Sequence, residues 1–244
     1  MKHAITRGDG KAAVYGDPGD RARSTGLVRA LWPVLVGVWL AGMAVGLLVS
    51  QRVVAAGAAL LAAAAVLVVA SARSVRRVRA FFKGARGEER VAAVLAALPD
   101  GFTVFHGVNG DAGARCSGAG DIDHVVVGPA GVWVVETKCW DGRVEVGASD
   151  VLFEGEPPSH DPVEQIRRLT AQVVADLARR LPSVPPVRAL LCFAGSGFAD
   201  GLTLIGDVTV CGIGRLYATV AADTATPISD DDRIRLVEIL KQAL

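Results

Sequence analysis

Asp123, Glu136 and Lys138 are two acids and a base set into an otherwise apolar run, DIDHVVVGPAGVWVVETK, residues 121–138. The run reads as two alternating β segments around Gly128-Pro129-Ala130-Gly131, a four-residue loop with Pro and Gly where hairpins place them. With Val127 facing Val132, the antiparallel register sets Val125 against Val134, Asp123 against Glu136 and Asp121 against Lys138. Directly opposed side chains have Cβ atoms about 4.5–5.5 Å apart, and like charges so placed repel. A divalent cation between the two carboxylates offsets that repulsion. Mg²⁺, with Mn²⁺ as the alternative, is held by one or two carboxylates and several waters, which leaves room for a phosphate. Lys138, two residues past Glu136 on the same face, adds a cationic donor. The set is suited to orienting an attacking water and stabilising charge on a pentavalent phosphate. The competing reading is a rim salt bridge between Asp121 and Lys138 in an unremarkable edge hairpin. Six valines in the run imply burial on both faces, where charges are costly unless partnered, and that favours the site.

Other elements must bring further groups to these three. Glu88 opens a helical pattern with Val91, Ala92, Leu95 and Leu98, and shares their inward face, while Glu89 is turned about 100° away. Glu88 is thus either an additional carboxylate of the site or a helix-start acid favoured by the macrodipole. Gly84 and Gly87 are expected to break the helix before it and form a hinge. Residues 102–107 read as a first strand, and 108–120 as a Gly-rich loop with Asp111, Arg115 and Cys116, long enough to be functional. Short strands are expected at 143–146 and 151–153. Asp161-Pro162-Val163-Glu164 is a helix start with an acidic N-cap and Pro at the first position. That helix runs to about residue 181, with Ile166, Leu169, Val173 and Leu177 as its buried stripe and Gln165 on its first turn. A buried strand at 187–193, a strand at 207–211 and helices at 214–221 and 228–244 complete the order. His124 points away from Asp123 by strand alternation and reads as structural. The stretch GSGFADG at 195–201 is no dinucleotide fingerprint, because its third glycine comes one residue late and no helix clearly follows.

The ordered set Gly84-x-x-Gly87-Glu88, Gly120-x-Ile122-Asp123-His124, Gly131-Val132-x-Val134-Val135-Glu136-Thr137-Lys138 with Gly142, and Pro162-x-x-Gln165 resembles the NERD (nuclease-related) domain of the PD-(D/E)XK nuclease superfamily. The resemblance covers about residues 83–244. It implies a restriction-endonuclease-like α/β fold, a mixed central sheet flanked by helices, and a Mg²⁺-dependent phosphodiesterase acting on nucleic acid, DNA or RNA. In that scheme Asp123, Glu136 and the Thr137 carbonyl hold the metal. Lys138 orients or activates the water, and Glu88 and Gln165 support the site from neighbouring helices, Glu88 with the option of ligating the metal itself. The alternative is a membrane-tethered binding or scaffold module that keeps the fold without turnover, supported by modest basicity and few aromatic side chains for stacking bases.

Residues 31–50 and 53–70 are nearly uncharged and apolar, each close to the ~20 residues that cross a bilayer. They account for a mean hydropathy of +0.40. Only Gln51 and Arg52 separate them, so the expectation is a transmembrane helical hairpin over 27–72, preceded by a disordered tail, 1–26, and followed by a basic juxtamembrane linker, 73–83, and the NERD-like domain, 84–244. A secretory signal is disfavoured because the first run is long, starts after about thirty polar residues and meets a second run at once. Arg21, Arg23 and Arg29 flank one end, and Arg73, Arg76, Arg77, Arg79 and Lys83 the other. The positive-inside rule then puts both termini on the cytoplasmic side of the cell membrane, with anionic lipid as a partner. Gly42 and Gly46 have GxxxG spacing, which either packs the hairpin's own helices or forms a homodimer seam. A net charge of +1 gives no global pull on nucleic acid. Four widely spaced cysteines argue against a zinc site or a disulfide framework.

Overall fold

Alternating valines buried on both sides place the central run in the middle of a sheet. The computed structural model describes residues 10–50, 52–108, 121–198, 200–222 and 227–242, and the side chains of 20–31, 33, 34 and 70–79 lie outside that description. The expected 108–120 loop, with Asp111, Arg115 and Cys116, lies almost wholly outside the described residues. In chain order the elements are β1 (Ala13–Tyr15), α1 (Asp20–Val49), α2 (Val53–Ala96), β2 (Thr103–Val108), β3 (Ile122–Gly128), β4 (Gly131–Lys138), β5 (Val144–Val146), β6 (Val151–Phe153), α3 (Pro162–Arg180), β7 (Val187–Phe193), β8 (Leu202–Ile205), β9 (Val208–Gly212), α4 (Ile213–Ala221) and α5 (Asp230–Lys241). They divide into two units, residues 1–19 with 86–244, and residues 20–85.

The larger unit holds a seven-stranded mixed sheet in the order β1-β2-β3-β4-β7-β9-β8. Strands β2, β3 and β4 pair antiparallel, β4, β7 and β9 parallel, and β5 and β6 form a separate hairpin. Period-two alternation sorts the sheet's side chains. Val125, Val127, Val132, Val134 and Leu191 pack beneath Ile166 and Leu169 of α3 and Leu236 of α5. Val104, Val126, Trp133, Val135 and Leu190 pack on the other face, against Val91, Leu95 and Leu98 from the α2 end and Leu216 of α4. Each fully buried apolar side chain contributes about 1.5–3 kcal/mol. The result is the expected mixed sheet flanked by helices.

The hairpin register is the expected one, Val127 opposite Val132 and Val125 opposite Val134. Its loop is tighter than expected, because Gly128 and Gly131 are themselves paired and leave Pro129-Ala130 as the turn. Three further differences have physical causes. Residues 10–19 are not a free tail: β1 pairs parallel with β2, Ala12 and Val14 are buried, and Tyr15 stacks on Phe105 at 5.3 Å between ring centroids. A polar, Gly-rich composition hid three residues whose strand is stabilised by an existing sheet edge. Strand β8 escaped notice because only Ile205 of its four residues is buried. Gly84 and Gly87 do not break a helix, since α2 runs through both. A Cβ on Gly87 would lie 2.6 Å from that of Cys139, so this glycine lets the helix approach the end of β4.

In the 20–85 unit, small side chains fill the space between α1 and α2: Ala44 and Ala56 are fully buried, Ala59 and Ala63 nearly so. Gly37 takes the closest approach, where an added Cβ would meet Leu67 Cδ2 at 2.6 Å. Open space surrounds Gly42 and Gly46, so their GxxxG spacing is not what packs these two helices. Among the described residues no helix is long and apolar enough to cross a membrane.

Candidate active site

Four of the five expected site residues meet where β3, β4 and the first turn of α3 come together. Sheet alternation puts Asp123, Glu136 and Lys138 on the face that α3 covers. Asp161 caps that helix, its Oδ1 accepting from the Val163 N–H at 2.8 Å and the Glu164 N–H at 3.3 Å. This fixes the first turn and aims Gln165 at β4. Past the His124–Val135 pair no further ladder pairing joins β3 to β4. Instead the Thr137 N–H donates to Asp123 Oδ2 at 2.8 Å.

Glu136 is 3% exposed. Its Oε1 accepts from Lys138 Nζ and from Gln165 Nε2, each at 2.7 Å, and Lys138 also donates to Gln165 Oε1 at 2.9 Å. The three side chains close a ring on one carboxylate oxygen. The other, Oε2, is buried with no hydrogen-bond partner among the described residues. An unpartnered buried carboxylate oxygen is expensive, and it stands beside a second carboxylate.

The electrostatics agree with the crowding. Burial holds the Asp123 carboxyl well above the usual carboxylate range, reinforced by Glu136 and then Glu88 and opposed by the Thr137 N–H and Lys138. Glu88 is pushed up to about 7, chiefly by burial, against the hydrogen bond from Gly19; Glu136 raises it further and Lys138 lowers it. Glu88 lies deep inside α2, which begins at Val53, so the helix-start explanation of this acid falls. Nearby, Arg90 Nη1 donates to the Ala194 carbonyl at 2.6 Å and fastens that part of α2 to the end of β7.

Among the described residues no group of three or more His, Cys, Asp and Glu side chains is placed to hold a metal ion. A divalent cation here would rely on Asp123 and Glu136 with main-chain oxygen and water, which is the ordinary Mg²⁺ pattern. The orphaned Glu136 Oε2 and the hard oxygen donors fit such an ion.

On the other face of the sheet, His106 and His124 are directly opposed and buried, their Nδ1 atoms 2.7 Å apart. One ring must donate and the other accept, so at most one of them carries a charge. Burial pushes His106 down to about 4, and burial plus His106 holds His124 well below the imidazole range. His124 thus faces away from Asp123 as alternation requires. Its partner His106 went unnoticed, although both sit in buried strand positions. His160 is exposed. Trp133 is buried, and Trp140 packs on Phe153 and Phe193 at 5.0 and 5.4 Å between ring centroids.

Residues 83–194 match the model of the NERD family, described as a nuclease-related domain, and Glu88, Asp123, Glu136, Lys138 and Gln165 all fall inside that stretch. No curated protein and no solved structure matches the chain.

Proposed function

We propose that the chain is a membrane-anchored, metal-dependent nuclease-like phosphodiesterase that hydrolyses nucleic acid, DNA or RNA, on the cytoplasmic side. The observation that carries this reading is the buried, unpartnered Glu136 Oε2 beside the half-buried Asp123. Asp123, Glu136 and the Thr137 carbonyl are the proposed ligands for Mg²⁺ or Mn²⁺, and Glu88 is the additional carboxylate. When bound, the cation supplies Lewis-acid polarisation of the phosphodiester and makes water in the site more acidic near neutral pH. Lys138 Nζ holds the attacking water and faces the negative charge that builds up as water adds to phosphorus and the P–O bond breaks. Gln165 bridges Lys138 and Glu136, and so fixes the angle at which each presents itself.

The test is cleavage of mixed DNA and RNA substrates by the full chain with Mg²⁺ or Mn²⁺, beside Lys138→Ala. Expected is metal-dependent cleavage that falls about 10²–10³-fold in the variant, the scale for losing one preorganised charge-stabilising donor. Absence of cleavage together with absence of metal binding favours the binding or scaffold module instead.

The anchor is supported by the 20–85 unit. Its small residues are inside, while Trp32, Val38, Trp39, Val54, Leu61 and Val68 are 66–89% exposed. Water does not favour so much apolar surface, whereas lipid does, and small residues at the helix contact are how helices pack in bilayers. The basic flanks put both termini on the cytoplasmic side. Gly42 and Gly46, unused between α1 and α2, are the proposed seam of a homodimer. The chain should stay with membranes through alkaline extraction, and Gly46→Leu should shift it towards monomer in detergent. Release by alkali sinks the anchor.

A further inference from the structure

Residues 10–19 precede the helical hairpin in sequence yet belong to the unit that carries the site. They are held down closely. The Ala12 and Ala13 N–H groups donate to the Leu98 and Phe102 carbonyls at 2.8 and 3.1 Å. Gly16 at φ +83° passes so near β2 that a Cβ there would lie 2.3 Å from the His106 carbonyl oxygen. The segment ends at Gly19, φ +74°, buried, whose N–H donates to Glu88 Oε2 at 3.0 Å. The chain passes between its two units at 19–20 and again at 85–86. Glu88 stands three residues past the second passage, and Gly19 is the last residue before the first.

The charge of Glu136 repels the Glu88 carboxylate, and an untethered glutamate samples many rotamers. A main-chain N–H aimed at a carboxylate oxygen is a charge-assisted bond, stronger than a neutral one, and a backbone donor has no rotamers of its own. We propose that the Gly19 main-chain N–H is a positioning group of the site, which holds the Glu88 carboxylate towards Asp123 and Glu136, so that the site is incomplete without residues 10–19. This rests on Glu88 being the site's additional carboxylate. The 83–194 family match does not reach these residues.

The test uses the full chain in detergent. Amide exchange at residue resolution should show the Gly19 N–H protected in the wild type and about ten-fold faster in Glu88→Ala. The Ala13 amide, bonded to Phe102, should be unchanged. Proline cannot take the φ of +74° at Gly19, so the N–H is removed by a main-chain ester at Gly19, made by joining a synthetic N-terminal segment to the rest of the chain. In the ester the affinity for Mn²⁺ should fall about 10-fold or more, the scale for losing a support behind a metal site. That loss should vanish when the ester is made in the Glu88→Ala background, because the amide acts only through the carboxylate. Protection of Ala13 in the ester shows that the segment is still docked; if it detaches, the Glu88→Ala exchange comparison decides alone. Equal Gly19 exchange in wild type and Glu88→Ala overturns the proposal, as does unchanged or tighter Mn²⁺ binding in a docked ester. If the wild type takes up no Mn²⁺ while Gly19 exchange still depends on Glu88, the contact stands and the nuclease reading falls, and the positioning role falls with it.

Discussion

Asp123→Asn is expected to make the metal-free protein more stable at about pH 8 while removing metal binding and cleavage. Asparagine keeps the shape of Asp123, and its amide oxygen can still accept the Thr137 N–H that now reaches Oδ2 at 2.8 Å. What disappears is a carboxyl whose charged form is disfavoured by burial and by Glu136 and Glu88. A neutral isostere escapes that penalty. Each kcal/mol recovered raises the melting temperature of a domain this size by about 2–4 °C. The same change removes one of two proposed anionic ligands, so Mn²⁺ affinity and cleavage should each fall at least about 10²-fold. Functional sites commonly store instability of this kind. Thermal unfolding with and without Mn²⁺ checks both halves. A variant less stable than the wild type, or one that still cleaves at the wild-type rate, contradicts the account of Asp123.

The second large effect is a pH dependence that a divalent cation reverses. Asp123 and Glu88 have folded-state values above their ordinary ones, Glu88 moving from 4.5 to about 7. Such carboxyls favour folding below the unfolded values, and that stability is lost as pH rises through the folded ones. At 1.36 kcal/mol per unit, Glu88 alone accounts for about 3 kcal/mol. The two histidines act oppositely. Their folded values lie below 6.5, with His106 at about 4, so the unfolded chain takes up protons first and stability is lost as pH falls below 6.5. Between about pH 4.5 and 6.5 the trends oppose each other. Above 6.5 only the carboxyl decline remains. Metal-free stability should therefore be nearly level up to about pH 6.5 and fall beyond it. Because a cation competes with protons for the same oxygens, millimolar Mg²⁺ should stabilise little near pH 5 and increasingly towards pH 8. An equal Mg²⁺ shift in melting temperature at both ends of that range would refute the competition.

The core of the site was legible because its residues follow strand periodicity. Once Val127 faces Val132, the side of the sheet on which Asp123, Glu136 and Lys138 lie is decided by counting in twos. The N-cap Asp161 made the start of α3 legible, but only the family resemblance singled out Gln165 on its first turn, which by itself reads as an ordinary surface amide. What stayed hidden depends on contacts between distant parts of the chain. Nothing near Gly19 announces that its amide meets a glutamate 69 positions later. His106 carries no motif, and its partner is found only when β2 is laid on β3. Gly84 and Gly87 misled for the opposite reason: glycine is a weak helix former, but packing of the α2 end against the sheet outweighs that local preference.

The discontinuity of the larger unit also sets an order of events during synthesis. Strand β1 leaves the ribosome first, and its partner β2 follows only after the 66 residues of the helical unit and the end of α2. At about 5–20 residues per second the early strand waits several seconds without a sheet to join. By then both apolar helices have emerged and sought their own environment. The chain therefore completes its larger unit last, by clasping an N-terminal segment made long before, so that assembly of the candidate site reports that the hairpin has already been dealt with.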